Sequence, residues 1–353
     1  MARIDRRHAA VGVALALAIG SVVAVRAGSS SPHLPPTTPD GLAASAAAAL
    51  ARDPTIQGEI RVHVDLGLPD LGDSPELGAV PFGFLAGDST LRIWRSPFGA
   101  RIALVESVSE RDFYFGHTGA WTWDFGTLTA TRLAPPGIRT GLFPLDLLVD
   151  EDEFRGLLHG LEPTTRVSVD RDVRVAGRDA YRLVLEPRTP DTLVGRVEID
   201  VDAERRVPLA VRIVPRRSAT AALSIEFTSV SFADVDPHLF DFTPPAGATV
   251  REAEGMANPL GLLGIAVGGS ASAGSDAAAG TAGIRSFGHD WASVVAIRMD
   301  ERVRLPDALT RFVPFSAPLV SARWATGSGA GWLLVGAVPQ RVLARVQERE
   351  LRP

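Results

Sequence analysis

The sequence predicts a mainly β α+β protein built around an antiparallel meander. Three observations carry this. After Pro54 the apolar positions fall at a period of two: Ile60, Val62, Val64 and Leu66 alternate with Arg61, His63 and Asp65, the pattern of a strand with one wet face. The runs are short, and Gly99, Gly116, Gly119 and Gly126 fall between them, where tight turns need a permissive backbone. Helical periodicity is confined to three stretches, near residues 40–52, 144–161 and from 339 onwards.

Taken in order, the chain opens on Arg3, Arg6 and Arg7, then an uncharged run at 9–25 closed by Arg26 and Ala27. A basic start, an apolar stretch and small residues at the exit make residues 1–27 an export signal. Cleavage is favoured over retention as an anchor, because the run is at the short end of the roughly 17–25 residues that span a bilayer. Either way the remainder is expected to be extracytoplasmic, secreted or tethered to the outer face of the cytoplasmic membrane. Residues 28–40 form a Ser/Pro/Thr spacer. Pro39 and Asp40 open an alanine-rich helix to about residue 52, with Asp40 the expected N-cap.

Strands follow. Leu91 and Ile93 flank Arg92, Ile102 and Leu104 lead into Val105 and Val108, Phe113 and Phe115 flank Tyr114, and Trp121 and Trp123 flank Thr122. An amphipathic helix at 144–161 interrupts them, with acid at 150–153 near its start. Strands resume at 166–169, 173–175, 180–185, 193–201, 209–214, 222–227 and 230–232, with a hairpin turn at 202–206. An aromatic-proline segment, 240–247, closes this region at about residue 252. Residues 253–283 are a Gly/Ala/Ser-rich linker. Three strands (291–298, 319–324, 332–338) and a final helix then make a small β-β-β-α module or sheet extension, 284–353.

Composition limits the chemistry. The 353 residues are 46% hydrophobic and 22% charged, a globular balance. Thirty-six basic residues against 41 acidic ones give a net charge of −5, with no electrostatic footprint for nucleic acid. There is no lysine, which excludes a P-loop lysine, a Schiff-base lysine and a Ser-Lys dyad. No cysteine is present, which excludes thiol nucleophiles, zinc-thiolate sites and disulfides. The seven histidines show no H-E-x-x-H spacing, and no G-x-S-x-G elbow occurs. His63 and His117 are expected to be solvated or hydrogen-bonded. Asp200, Asp202 and Glu204 alternate as calcium ligands do, but the bend glycine of a calcium loop is missing, so a solvated hairpin tip is expected. No catalytic residue, metal or cofactor is assigned, and the chain is not expected to be an enzyme.

Four motifs carry a resemblance. They are Gly119-Ala120-Trp121-Thr122-Trp123-Asp124, Val175-Ala176-Gly177-Arg178-Asp179-Ala180-Tyr181-Arg182-Leu183, Asp200-Val201-Asp202 with Pro208-Leu209, and Phe240-Asp241-Phe242-Thr243-Pro244-Pro245 running on to Val250. In this order, over residues 41–252, the chain resembles the LolA-like lipoprotein carriers, and its loop Gly67-Leu68-Pro69-Asp70-Leu71 resembles the actinobacterial members. The resemblance implies an incomplete antiparallel β-barrel closed by helices, whose cavity takes acyl chains. Val335-Gly336-Ala337-Val338-Pro339 has a fainter similarity to RseB-type regulators, which bind an anti-sigma factor.

The function expected is therefore transport in the cell envelope, by binding the acyl chains of lipids or lipoproteins. Val62, Val64, Trp94, Phe113, Phe115, Trp121 and Trp123 are the candidate cavity lining, each set against a role as ordinary core. Leu71, Phe82, Phe84 and Leu85 in the apolar loop 67–87, with Phe143 and Leu147 in a second ridge, are candidates for a lid. The alternative is an envelope-stress sensor that binds a membrane-bound anti-sigma factor.

Overall fold

The structure, a computed structural model, describes residues 34–65, 87–105, 109–117, 119–133, 163–252, 284–299, 313–327 and 330–351. The first sheet holds β1 (Ile56–Val64), β2 (Gly87–Ser96), β3 (Gly99–Val105), β4 (Glu110–Gly116), β5 (Gly119–Asp124) and β6 (Thr129–Leu133). Its second half holds β7 (Thr165–Val175), β8 (Arg178–Pro187), β9 (Val194–Asp202), β10 (Pro208–Pro215), β11 (Leu223–Ser231) and the short β12 (Thr249–Glu252). The 12 strands lie in the order β12-β6-β5-β4-β3-β2-β1-β11-β10-β9-β8-β7. Each half is a meander in which neighbours in sequence are neighbours in space, and the antiparallel pairing of β1 with β11 joins the halves. Only β12, returning to pair with β6, runs parallel. The mainly β class is the one expected, and the large sheet, open at both edges, is consistent with the incomplete barrel expected.

β7 and β12 are the free edges. On β7 the register shifts between Asp170 and Val173, and Asp170, Arg171 and Asp172 stand exposed there. A bulge and charges on an edge discourage pairing with a stray strand. β7 also approaches β11 across the three strands between them, so this half curls, and the sheet has an inner and an outer face.

Helix α1 (Pro39–Ala51) lies on the inner face against β7 and β8. Its N-cap is Thr38, whose hydroxyl accepts the Gly41 N–H at 3.1 Å, and not Asp40 as expected. Pro39 is the cause: it has helical φ and no N–H to satisfy, which suits the first helical position and puts the cap at Thr38, two residues before Asp40. Leu42, Ala43, Ala46, Ala47, Ala49 and Leu50 are all buried, so small side chains let the helix lie close to the strands.

The second sheet holds β13 (Ile284–Phe287), β14 (Val294–Met299), β15 (Phe315–Ser316), β16 (Ser321–Gly327) and β17 (Ala330–Gly336) in the order β13-β14-β17-β16-β15. It thus has five strands where three were expected; β13 and β15 are too short to show a period. Trp291 precedes the strand assigned to it, in a single 3₁₀ turn. Helix α2 (Gln340–Glu350) covers one face with Val342 and Leu343 over Val294, Ala296, Trp332 and Leu334.

The other face meets the first sheet. Trp291, Leu319, Val320 and Ala337 belong to the same apolar cluster as α1 and the inner strands. Trp291 Nε1 donates to Thr165 Oγ1 at 2.7 Å, and the Leu193 N–H donates to the Ala337 carbonyl at 2.8 Å. Asp191 accepts from Arg341 and Arg345, each at 2.9 Å. The Arg345 hydrogen bond, then that of Arg341, holds the Asp191 carboxyl below its ordinary value. A lowered carboxyl stabilises the fold above its unfolded-state pKa, near 3.9, and loses that contribution as pH falls through the folded value. Asp191→Asn is therefore expected to lower the urea midpoint at pH 7, and the difference from the parent chain should close below about pH 3.9. Urea titrations at both pH values check this.

Candidate functional site

The strand register sorts the side chains onto the two faces. On the inner face, Val167, Leu185, Val197, Ile213, Leu223 and Val64 stand opposite one another from β7 to β1. Beside them runs a second row of Val169, Leu183, Ile199, Val211, Ile225 and Val62. Phe227, Ile60, Leu91 and Leu104 continue across the junction of the halves, and Ile93, Ile102 and Phe113 extend the surface to β4. Neither of the two long rows contains an ionisable residue. The uncharged surface ends where Leu104 faces Arg111, which pairs with Asp124 at 3.1 Å.

The outer face has the opposite character. Asp170, Arg182, Asp200, Ala210, Glu226 and Arg61 form one row. Asp200 is 0% exposed. It accepts two hydrogen bonds from Arg182, at 2.7 and 3.0 Å, and one from Arg212 at 2.6 Å. Arg212 reaches on to Glu226 at 2.6 Å. The Asp200 hydrogen bond is the main reason that the Arg182 guanidinium lies above its ordinary pKa. Asp202 is also fully buried, and it accepts from Arg178 and from the amides of Glu204 and Arg205. The solvated hairpin tip expected for Asp200 and Asp202 is thus a buried ion-pair network. Among the described residues no group of three or more metal-ligating side chains occurs.

The seven candidate lining residues divide between the faces. Val62, Val64, Phe113 and Phe115 are buried in the inner cluster. Trp94, Trp121 and Trp123 are on the outer face. Tyr114 pairs with Trp121, and Asp112 with Trp123, so the tryptophans share the phase of Tyr114 and not that of Phe113. Trp123, Tyr114, Ala130 and Phe242 form a separate apolar cluster with Trp121 packed on it. Arg101 bridges Trp94 and Tyr114, its guanidinium 5.2 Å and 5.1 Å from the two ring centroids, and it donates to buried Asp112 at 2.6 Å. Tyr114 donates to the same carboxylate at 2.7 Å; burial first, and this hydrogen bond second, push its phenol well up. The lid candidates Leu71, Phe82, Phe84, Leu85, Phe143 and Leu147 lie outside the described residues.

The aromatic-proline segment has a role that the motif alone did not reveal: it straps the outer aromatic cluster. Phe242 stacks on Tyr114 with centroids 4.7 Å apart, and is 5.7 Å from Trp121 and 5.9 Å from Trp123. Phe240 beds against the β4–β5 turn so closely that a Cβ on Gly116 would lie 2.4 Å from the Phe240 carbonyl oxygen. The signal for this was the pair of aromatics at spacing two. His63 meets Asp88 at 2.8 Å and His117 meets Asp241 at 2.7 Å, all at partly or largely exposed positions.

No family model and no curated relative matches the chain. Among solved structures it is similar to the MucA/MucB complex of Pseudomonas aeruginosa, at 15% identity over 88% of this chain and 96% of that one, with a TM-score of 0.47. A LolA superfamily protein from Nitrosomonas europaea is 10% identical over 59% of this chain and 99% of its own, with a TM-score of 0.22. A putative outer membrane lipoprotein-sorting protein domain from Vibrio parahaemolyticus is 12% identical over 55% of this chain and 93% of its own, with a TM-score of 0.20. The likenesses are thus to LolA-superfamily proteins and to MucB, which is of RseB type.

Proposed function

We propose that this chain is an exported, non-enzymatic carrier that holds the acyl chains of lipids or lipoproteins against the inner face of the curved sheet. The observation that supports this best is the segregation of charge between the faces. Two six-residue rows without an ionisable group cross from β7 to β1, while the opposite face carries the arginines and carboxylates. Nine of these twelve side chains are buried in the inner cluster that α1 joins, so an acyl chain reaches this branched aliphatic face by displacing part of what covers it, and meets no polar recognition there. Each buried methylene contributes about 0.8 kcal/mol, so about twenty of them, as in a pair of acyl chains, contribute roughly 16 kcal/mol against an association cost of about 4–15 kcal/mol. Weak specificity among chain lengths follows. The basic start and apolar run of residues 1–27 support work outside the cytoplasmic membrane. No helix among the described residues is long and apolar enough to cross one, and the apolar run 9–25 lies outside them. Titration with a fluorescent fatty acid tests the reading: saturable binding that unlabelled phospholipid displaces is expected, and its absence from folded protein contradicts it.

A second reading, an envelope-stress sensor that binds a membrane-bound anti-sigma factor, draws on the seam between the sheets. The segment 335–339 leaves β17, receives the β8–β9 loop at the Ala337 carbonyl, and leads into α2 through Pro339. Pulldown from membranes discriminates. An anti-sigma factor captured by the full chain favours this reading; equal capture by a chain lacking residues 284–353 counts against the seam.

A further inference from the structure

Three of the four large apolar side chains that stand exposed among the described residues gather at one corner of the first sheet. Phe125 is 47% exposed, Leu128 56% and Val250 54%. Phe125 sits edge-on to Trp123 at 5.6 Å. The Leu128 carbonyl accepts the Thr249 N–H at 3.0 Å, and Val250 faces Ala130 across the β12–β6 pairing. The turn between β5 and β6 and the adjoining strap therefore make one surface. In a chain that is 22% charged, residues 125–131 and 242–250 contain no charged side chain. Phe125 and Leu128 are at the turn itself, and Phe125 rests against Trp123 of the buried cluster that also holds Tyr114 and Phe242.

The rim is polar. Arg111, Arg132 and Arg251 border the surface, against Asp124 and Glu252. Asp124 is already engaged by Arg111 at 3.1 Å and by the Thr127 amide at 2.9 Å, and the Arg132 guanidinium lies over the Trp121 ring at 5.6 Å. An apolar turn with threonines beside it and arginines at its border matches the boundary between acyl chains and phosphate headgroups. There apolar tips enter while arginines remain at phosphate level. The position fits as well, because Arg111 and Asp124 end the inner row that runs through Ile60, Leu91 and Leu104.

We infer that the β5–β6 turn, with Phe125, Leu128 and the neighbouring Val250, is a membrane-docking tip that inserts shallowly into a phospholipid surface and sets the end of the acyl-binding face beside it. The inference deepens the carrier reading and rests on it for its purpose.

The absence of cysteine makes a local test available in the full chain. Leu128→Cys and, separately, Phe125→Cys carry an environment-sensitive nitrobenzoxadiazole label, with Asp172→Cys on the β7 edge as control. Vesicles of phosphatidylcholine and phosphatidylglycerol in equal amounts are added. Emission from labels at 128 and 125 is expected to rise about three-fold and shift to the blue as they enter the interface, while the label at 172 stays unchanged. The readout is local, so insertion of residues 9–25 into the vesicles does not mimic it. Unchanged emission at 125 and 128, an equal rise at 172, or a rise with protein concentration in the absence of vesicles would each overturn the inference; the last would make a second copy of the chain the occupant. Fatty-acid titration of the same proteins separates the two failures. Acyl binding without a vesicle response sinks the tip alone, whereas a vesicle response without acyl binding keeps the tip and sinks the carrier.

Discussion

Replacing Asp200 by alanine is expected to destabilise the fold by about 3–5 kcal/mol, the range for breaking a buried charge pair by removing one partner. The carboxylate is 0% exposed, and the two arginines it binds are only 26% and 18% exposed. Without it both guanidiniums stay packed on the outer face, Arg212 with Glu226 alone at 2.6 Å and Arg182 with Glu198 alone at 3.4 Å, and the donors that faced Asp200 lose their acceptor. Asp200→Asn keeps the shape and one acceptor, so its cost should fall between those of the parent and the alanine variant. Replacing Asp200, Arg182 and Arg212 together by apolar residues of similar volume should recover most of the loss, because desolvation of the charges offsets much of their attraction. Urea titrations with a common slope measure all three. A loss below about 1 kcal/mol for Asp200→Ala would mean that the network behaves as a surface ion pair.

The second large effect is expected at Phe242. Truncating a buried phenylalanine to alanine costs about 3–5 kcal/mol, and here the ring is the centre of an aromatic group that includes Tyr114, Trp121 and Trp123. The strap from Phe240 to β12 is held to the sheet mainly by this ring, by Phe240 and by the four-residue pairing of β12 with β6. Phe242→Ala should therefore release the strap before the sheet unfolds. Tryptophan emission should shift to the red, and the near-ultraviolet dichroism of the cluster should weaken, at urea concentrations where far-ultraviolet dichroism is unchanged. Phe242→Leu, which keeps much of the volume, should lose less. Coincident transitions by all three probes would contradict the idea of a separable strap.

The period of two made the meander legible, because Val62, Val64, Phe113 and Phe115 announce a buried face within their own strands. It does not say which face of the sheet is the inner one. Aromatic side chains stand on both faces at β4, Phe113 and Phe115 on one and Tyr114 on the other, so Trp121 and Trp123 matched the aromatic pattern of Phe113 and Phe115 while standing on the opposite side. Only the pairing of Tyr114 with Trp121 resolves this. The junction of β1 with β11 was hidden for a different reason. It pairs Glu59 with Ser229, 170 residues along the chain, and no local pattern records such a distance. Asp200 and Asp202 occupy the polar phase of β9, as alternation demands; they are dry because Arg182 and Arg212 on the neighbouring strands cover Asp200, and Arg178 covers Asp202. The cap of α1 lies at Thr38, two residues before Asp40, because Pro39 takes the first helical position. β13 and β15 are shorter than the window over which a period can be seen.

The account turns on whether the uncharged inner face holds greasy tails. Native mass spectrometry of the full chain purified from its own host, with the released small molecules then extracted and weighed, is the most direct examination. The expected spectrum contains protein carrying additional mass that extraction returns as acyl-bearing lipid, with a spread of chain lengths. Protein at its bare mass from every preparation, and no uptake after incubation with phospholipid, would contradict it and leave the curved sheet a scaffold with an ordinary packed interior.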